Sequence, residues 1–293
     1  MLAAGVLAVG CGDVKPPATH DAAMDDAAAD APGPACDVTK PFGSPIEVPG
    51  LNDPTGDDVH ATLSDDERTV YFGSSRNSPA GAAPIYHIYF ATRTTRDGVF
   101  GKVDPVGPTF STEGETNPSI SRDGNTLYFD SFRGQGVHLW TSTRSNPGIA
   151  FSMPAMITAD PLVAPSVTDD GKVLYVANLS FGSLSRLAFA GGAFGNPETV
   201  AVPGGLSITT PVTRDELTLY LSIGNTTGHE IQVTKRASLT SPWPMPSEVT
   251  ELKINADSDN AEPSWISADG CRIYLRYRLG SEKSKIYLAT RPK

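Results

Sequence analysis

The chain has 293 residues and a formal net charge of −10, with 28 glycines and 25 prolines. An acidic chain repels the phosphates of nucleic acid, and no apolar run is long enough to cross a bilayer, so neither a nucleic-acid-binding nor a membrane-spanning protein is expected. The length suits one large domain, and the abundance of Gly and Pro is typical of an all-β chain with many turns.

Residues 1–11 are predicted to be a signal segment of the lipoprotein type. Residues 2–9 form a short apolar run, which leads into the letters AVGC ending at Cys11. This ending resembles the lipobox of bacterial lipoproteins, in which the signal is removed before a cysteine that then carries lipid. The resemblance implies a lipid anchor at Cys11 and a location in the bacterial cell envelope. A fortuitous stretch of small residues with a free or buried Cys11 is the alternative.

Residues 12–35 differ in composition from the rest of the chain. They are mainly Ala, Asp and Pro, and their five Asp and one Lys give a net charge of −4. Such a segment cannot bury enough apolar surface to fold, so it is predicted to be a disordered tether. Gly12 stands where an Asp would signal inner-membrane retention in many Gram-negative species, so the resemblance implies the outer membrane.

One eight-residue string occurs five times in the remaining chain, residues 36–293. Its pattern is Ser/Thr, any residue, Asp, Gly/Glu, two free positions, an aliphatic residue and Tyr. The copies are residues 64–71, 121–128, 168–175, 213–220 and 267–274. Asp-Gly between two apolar runs is typical of a tight hairpin turn. Glu67 and Glu216 replace the Gly, so these two turns are predicted to use a conformation open to a side chain.

Each string is followed by two further predicted strands. The third strand of each unit is read at residues 87–93, 138–144, 184–189, 230–236 and 285–291. An aromatic residue and then a Pro precede a fourth strand, as expected for an edge strand. The last unit lacks its fourth strand, but residues 42–48 have the same pattern ahead of the first unit. The sequence therefore predicts an all-β, five-bladed β-propeller of four-stranded antiparallel blades, with the N-terminal strand completing the last blade.

The repeats resemble the WD-like propeller repeats of the TolB type found in bacterial envelope proteins. The resemblance rests on the five strings, the Tyr-Phe or Tyr-Leu strands after them, and the Thr-Arg pairs that end at Arg93, Arg144 and Arg291. It implies the propeller fold for residues 36–293. TolB itself has six blades, so its partner docking is not carried over to this chain.

Two cysteines remain if Cys11 carries lipid. Cys36 precedes the strand that completes the last blade, and Cys271 lies in the first hairpin turn of that blade. Both connections emerge on the same face of a propeller, so a Cys36–Cys271 disulfide is predicted to close the ring. Two free thiols are the alternative.

The loops that lead into each inner strand carry a set of polar residues. We take as the candidate ligand-binding site Asp57, Asp58, His60, Glu113, Glu115, Asp257, Asp259 and Glu262. This acidic channel mouth would favour a cation or a basic partner, and a solvated rim is the alternative. The Asp residues of the turns and the tyrosines of the strings are expected to serve the fold.

The chemistry of the candidate site favours a binding or assembly scaffold whose partner is a protein or another envelope ligand. The alternative is a carbohydrate-active hydrolase or lyase at the channel mouth, with Asp58, Glu115 and Glu262 as its acids and bases. Ala164 stands where a third inner-strand acid is expected for that chemistry. The five His residues show no metal-ligand spacing, so no metal, cofactor or catalytic residue is predicted.

Overall fold

The structure is a computed structural model that describes residues 36–79, 81–107, 111–180, 182–204, 211–224, 229–254 and 259–293. The predicted signal segment, the predicted tether and Cys11 lie outside the described residues. The chain is all-β, with 44% strand and 1% helix, as the sequence predicted. In the ranges given above, no helix is long and apolar enough to cross a membrane.

The first two sheets follow the predicted order of strands. Each has four antiparallel strands that pair in chain order, and the fourth strand of each is only two residues long. The first sheet consists of β2 (Asp58–Leu63), β3 (Thr69–Ser74), β4 (His87–Thr92) and β5 (Asp104–Pro105). The second sheet consists of β6 (Glu115–Ile120), β7 (Thr126–Ser131), β8 (His138–Thr143) and β9 (Ala155–Met156).

The third sheet has an additional short hairpin. Its strands are β10 (Leu162–Val167), β11 (Val173–Asn178), β12 (Ser183–Ala190), β13 (Ala193–Phe194) and β14 (Glu198–Thr199). Both β13 and β14 pair with β12, at different positions along it. β14 follows Pro197 and is the predicted edge strand, whereas the hairpin of β12 and β13 was not predicted.

The remaining strands form two groups. The fourth group is β15 (Thr218–Gly224), β16 (His229–Lys235) and β17 (Ser247–Glu248). The last group is β18 (Asp259–Ile266), β19 (Arg272–Leu279), β20 (Lys285–Thr290) and β1 (Ile46–Glu47). Among the described residues, one parallel pair, His229 with Asn260, connects the two groups. Ile46 pairs with Leu288, so the N-terminal strand completes the last group, as predicted.

The repeated Asp organises the turn in every copy of the string in the same way. In the second sheet, one oxygen of Asp123 accepts a hydrogen bond from the hydroxyl of Ser121 at 2.6 Å and another from the backbone N–H of Asn125 at 3.0 Å. The other four copies repeat this arrangement. The turn carboxylates therefore serve the fold, as expected.

The prediction for Glu67 and Glu216 was wrong. Both residues have a positive φ, at 56° and 54°, in the left-handed region that Gly124 also occupies at 70°. Side chains there are strained, so other contacts must hold these turns. The buried carboxylate of Glu67 receives hydrogen bonds from Arg96, and the carboxylate of Glu216 accepts one from the hydroxyl of Tyr175 at 3.0 Å.

An arginine after the third strand joins neighbouring sheets. The guanidinium of Arg144 lies 4.3 Å from the ring centroid of Phe151 and donates to the carbonyl oxygen of Gly124 at 2.8 Å. It also donates to the hydroxyl of Tyr71 in the first sheet, at 2.8 Å. Arg93 and Arg291 make the same three types of contact. This arginine latch explains the Thr-Arg pairs and three of the buried string tyrosines, Tyr71, Tyr220 and Tyr274.

The third sheet lacks the latch. In the second sheet, the backbone N–H of Arg144 donates to the carbonyl oxygen of Asn125. In the third sheet, the backbone N–H of Phe189 makes the equivalent hydrogen bond to Lys172, so Phe189 occupies the position of the latch arginine. Its ring lies 5.1 Å from that of Phe194, which in turn lies 5.8 Å from Tyr128. Aromatic contacts therefore replace the guanidinium between the second and third sheets.

Three of the innermost strands bend at one repeated position. The register of β2, β6 and β10 shifts by one residue, and His60, Asn117 and Ala164 have φ values of 51°, 50° and 52° at the shift. A β-bulge re-aims the side chains around it. The bulges therefore place His60 and Asn117 along the channel between the inner strands.

The predicted disulfide between Cys36 and Cys271 is present. Their Cα atoms lie 5.6 Å apart, and 235 positions separate the two residues in the sequence. The bond joins the start of the described chain to the hairpin turn between β18 and β19.

Candidate functional site

The carboxylate of Asp58, at the start of β2, is buried and paired with an arginine. Arg76 donates to it at 2.8 Å, and the backbone N–H of Asp53 donates at 2.5 Å. The Arg76 guanidinium also donates to Ser74 and lies 5.1 Å from the ring centroid of Phe72. Burial raises the pKa of Asp58, although these hydrogen bonds lower it in part.

Glu115 repeats this arrangement at the start of β6. Arg133 donates to its carboxylate at 2.6 Å, and the backbone N–H of Ser111 donates at 2.5 Å. The guanidinium lies over Trp140, and His87 approaches the second carboxylate oxygen at 3.0 Å. Two sheets therefore share one buried carboxylate–arginine motif. Its sequence signal is Ser-x-Arg, in which the Ser is the last residue of the second strand. Sequence reasoning missed these arginines.

Glu262 in β18 is held differently. Its backbone pairs with that of Arg276 in β19. This register position is one residue away from the position at which Asp58 pairs with Ser74 in the first sheet. Arg276 donates to its carboxylate at 2.5 Å, and His60 Nε2 lies 2.7 Å from the second oxygen. Burial raises the pKa of Glu262, but the contacts with His60 and Arg276 outweigh it and bring the pKa to about 2.

Of the other predicted site residues, His60 is brought to Glu262, and three more lie among the described residues. Asp57 is buried and accepts a hydrogen bond from the backbone N–H of Ser284 at 2.7 Å. Glu113 is exposed, and a hydrogen bond from the hydroxyl of Thr112 lowers its pKa. Asp259 pairs through its backbone with Leu279. Asp257 lies outside the described residues.

The electrostatics of the three inner carboxylates restrict what they can do chemically. Glycoside hydrolysis requires one carboxyl group that gives a proton and a second that acts as nucleophile or base. A carboxylate with a pKa of about 2, such as Glu262, is ionised at neutral pH and holds no proton to give. Asp58 and Glu115 are occupied by guanidinium groups that would need to be displaced first.

Asp130 is a buried acid that sequence reasoning did not identify. It lies in β7, where burial raises its pKa to about 7, while hydrogen bonds from the backbone N–H of Ala164 and from the side chain of Asn117 lower it in part. The contact with Ala164 joins the second strand of one sheet to the inner strand of the next. The sequence of β7 does not alternate between polar and apolar residues, so it gave no signal that this Asp is buried.

A ring of alternating charges surrounds the channel at the turn end. It is formed by the second residue of the repeat string, which the sequence pattern left free: Asp65, Arg122, Asp169, Arg214 and Ala268. Arg122 lies 2.7 Å from Asp169 and 3.4 Å from Asp65, and Arg214 lies 2.8 Å from Asp169. The signal was present in the sequence as a position that alternates in charge from copy to copy. We call these five residues the charged rim.

The described part of the chain contains no group of three or more His, Cys, Asp or Glu residues placed to hold a metal ion.

Comparisons with known proteins report on the fold alone. No protein-family model and no curated protein matches the chain. A GH62 hydrolase solved with xylotriose is 10% identical, with a TM-score of 0.58 over 86% of this chain and 97% of that one. Zg3597, a family 117 glycoside hydrolase of Zobellia galactanivorans, is 12% identical, with a TM-score of 0.57 over 86% and 90% of the two chains. These similarities support a β-propeller fold.

TolB from Acinetobacter baumannii is also among the similar structures. It is 14% identical, and the match covers 80% of this chain and 54% of TolB, so this chain spans about half the length of that protein. The TM-score is 0.46. A similarity of this size carries no argument about partners or activity.

Proposed function

We propose that this chain is a lipid-anchored β-propeller of five blades that acts as a binding or assembly scaffold in the bacterial cell envelope. Five repeat strings and five buried string tyrosines support the five blades. The first three sheets are one blade each, the fourth group is a fourth blade, and the last group with β1 is the fifth. The parallel pair of His229 with Asn260, between β16 and β18, is then a contact between two neighbouring blades.

The pairing of the inner carboxylates with arginines carries the scaffold function. Asp58, Glu115 and Glu262 are buried, and each holds a guanidinium. Carboxylates used in this way stabilise the inner strands and are not free to transfer protons. This supports a role in binding.

A protein partner is supported by the surface at the end of the channel opposite the charged rim. Phe132 and Leu179 directly follow β7 and β11, and they are 52% and 50% exposed. Glu113 is exposed at the same end of the second sheet. Exposed apolar side chains beside a carboxylate suit a protein surface with apolar and basic groups.

The test is capture of a partner from native envelopes by crosslinking to the anchored protein. Phe132→Ala combined with Leu179→Ala should reduce the crosslinked partner at least fivefold. Leu239→Ala is the matched control, because Leu239 is 58% exposed near the turn end. Equal capture of the partner by the wild type, the double variant and Leu239→Ala would overturn the proposed surface.

The lipid anchor at Cys11 is a separate part of the proposal. We expect the wild type to fractionate with outer membranes and to take up labelled palmitate. Cys11→Ser should move the protein to the soluble fraction and abolish labelling. Membrane association of the Cys11→Ser variant would contradict the anchor, and an inner-membrane fraction would contradict the predicted membrane.

A carbohydrate-active hydrolase or lyase is the second candidate, and the similarity in fold to two glycoside hydrolases favours it. Incubation of the wild type with a panel of polysaccharides, followed by detection of new reducing ends or unsaturated products, tests it. Cleavage that is lost in Glu262→Gln, in a protein that remains folded, would replace the scaffold function by this one.

A further inference from the structure

The loops that follow the third strands lie at the turn end of the molecule. In every unit, a backbone N–H at the end of the third strand donates to the carbonyl oxygen of the fifth residue of the string. These hydrogen bonds join Arg93 to Arg68, Arg144 to Asn125, Phe189 to Lys172, Arg236 to Leu217 and Arg291 to Cys271. The loops therefore lie at the same end as the charged rim.

An exposed apolar side chain occurs at each of these five places. Val99, Ile149 and Leu239 lie in the loops after β4, β8 and β16, and Phe189 lies in the β12–β13 hairpin. Val38, ahead of β1, lies beside the end of the last third strand. All five are between 44% and 66% exposed. Single exposed apolar residues are ordinary, but their recurrence at one end of every repeat indicates a functional surface. We call these five residues the apolar set.

The backbone beneath two members of the apolar set is held by the arginines that follow the third strands. Arg236 donates to the carbonyl oxygen of Leu239 at 2.9 Å, and Arg291 donates to that of Val38 at 3.1 Å. Little additional chain has to be ordered when these side chains are buried against another surface, so the entropic cost of an interaction there is small.

The described chain also begins at the turn end. Cys36 is bonded to Cys271, which lies in the string of the last group. A coil with the length of the predicted tether, residues 12–35, spans about 25–30 Å. A lipid at Cys11 would therefore hold the turn end close to a bilayer. Tethering raises the local concentration of the bilayer surface, so weak apolar contacts suffice for docking.

The charged rim suits a surface that carries both signs of charge. It contains two Asp, two Arg and one Ala, so its net charge is zero. The side chains of Asp65, Arg122 and Arg214 are exposed. A zwitterionic phospholipid presents a phosphate for Arg and an ammonium group for Asp. An anionic bilayer would repel a chain whose net charge is −10.

We propose that the turn end docks onto a bilayer of zwitterionic phospholipids, with the apolar set between the headgroups and the charged rim facing them. This inference rests on the lipid anchor of the proposed function. Membrane binding of this kind is driven by burial of apolar side chains at the headgroup boundary. The docking directs Phe132 and Leu179, at the opposite end, away from the membrane and towards the protein partner.

The test supplies the anchor chemically, so its result does not depend on lipidation in the cell. The full chain, with its disulfide formed, is coupled through the thiol of Cys11 to a maleimide lipid in vesicles of phosphatidylethanolamine and brominated phosphatidylcholine. Leu239→Trp and Leu179→Trp place the same reporter at exposed positions at the two ends. We expect bromine to quench the fluorescence added by Leu239→Trp at least threefold more than that added by Leu179→Trp.

Equal quenching at the two positions, or stronger quenching at Leu179→Trp, would overturn the docking. Absence of lipid on Cys11 in cells would instead contradict the proposed anchor and would leave this quenching result unchanged. Vesicles in which phosphatidylglycerol replaces phosphatidylethanolamine should quench Leu239→Trp less, and stronger quenching there would overturn the zwitterionic class.

A pair of double variants assigns the docking to the apolar set. Val99→Ser combined with Ile149→Ser, in the Leu239→Trp protein, should reduce quenching to the level of Leu179→Trp. The matched control is Phe132→Ser combined with Leu179→Ser in the same Leu239→Trp protein, which removes two exposed apolar side chains from the opposite end and should leave quenching unchanged. Equal effects of the two double variants would overturn the role of the apolar set.

Discussion

The imidazole Nε2 of His60 lies 2.7 Å from Oε2 of Glu262, although 202 positions separate the two residues in the sequence. His60 sits at the bulge of the first inner strand, and Glu262 belongs to the inner strand of the last group. The contact therefore joins the first and last parts of the fold at the channel.

This contact predicts a loss of stability in acid. Because the pKa of Glu262 falls from 4.5 to about 2 on folding, its contribution is present above pH 4.5 and is lost as the pH falls towards 2. The difference corresponds to about 3 kcal/mol at most. Urea unfolding across this pH range should show a steeper loss for the wild type than for Glu262→Gln. Parallel curves for the two proteins would contradict the prediction.

Asp130 predicts the opposite dependence at higher pH. Its folded pKa is raised from 3.8 to about 7, so the folded state keeps a proton that the unfolded state has released, and stability falls as the pH rises between these values. The cost reaches about 4 kcal/mol above pH 7. Asp130→Asn keeps an acceptor for the N–H of Ala164, so it should be more stable than the wild type at pH 8 and nearly equal at pH 4. A variant that is less stable at both pH values would contradict this.

The arginine latch predicts a pair of opposite mutational effects. Arg144→Leu removes the guanidinium from Phe151 and from the hydroxyl of Tyr71, and should cost about 2 kcal/mol. Phe189→Arg should supply the missing latch against Phe194 and Tyr128, and stabilise the protein by up to about 1 kcal/mol. Guanidinium chloride unfolding measures both. A destabilised Phe189→Arg would show that the third sheet is adapted to its aromatic contacts.

The disulfide predicts a large effect on stability. A bond between residues 235 positions apart restricts the unfolded chain strongly, by up to about 5 kcal/mol. Cys271→Ser combined with Cys36→Ser should lower the midpoint of urea unfolding, and reduction should do the same in the wild type. Cys11→Ser should leave the midpoint unchanged, and a double variant as stable as the wild type would contradict the prediction.

The fold was predictable because its signals are local and repeated. The turn Asp bonds to neighbours two residues away, so Asp123 and its equivalents can be recognised in any copy of the string. The left-handed Glu67 was not predictable, because the residue that compensates it, Arg96, lies in a loop after the third strand.

The candidate site was predictable only as a list of residues. The partners of its carboxylates come from other strands, as Arg133 does for Glu115, and their pairing depends on the path of the whole sheet. Asp58 and Glu115 share a position, but Glu262 is shifted by one residue in register, which the aligned strings did not show. The positions of His60 and Asn117 along the channel follow from the β-bulges of their strands. Neither bulge has a glycine that would mark it in the sequence.

The disulfide also determines how the molecule resists a pull on its N-terminal side. Tension applied to the chain before Cys36 reaches the sulfur–sulfur bond first, because Cys36 precedes β1. The force then enters the hairpin turn at Cys271. It is shared by β18 and β19, which are each eight residues long and pair with each other. The two-residue strand β1 is bypassed and is not peeled from β20. In the oxidised protein, a two-residue edge strand is thereby shielded from mechanical strain by a covalent bond.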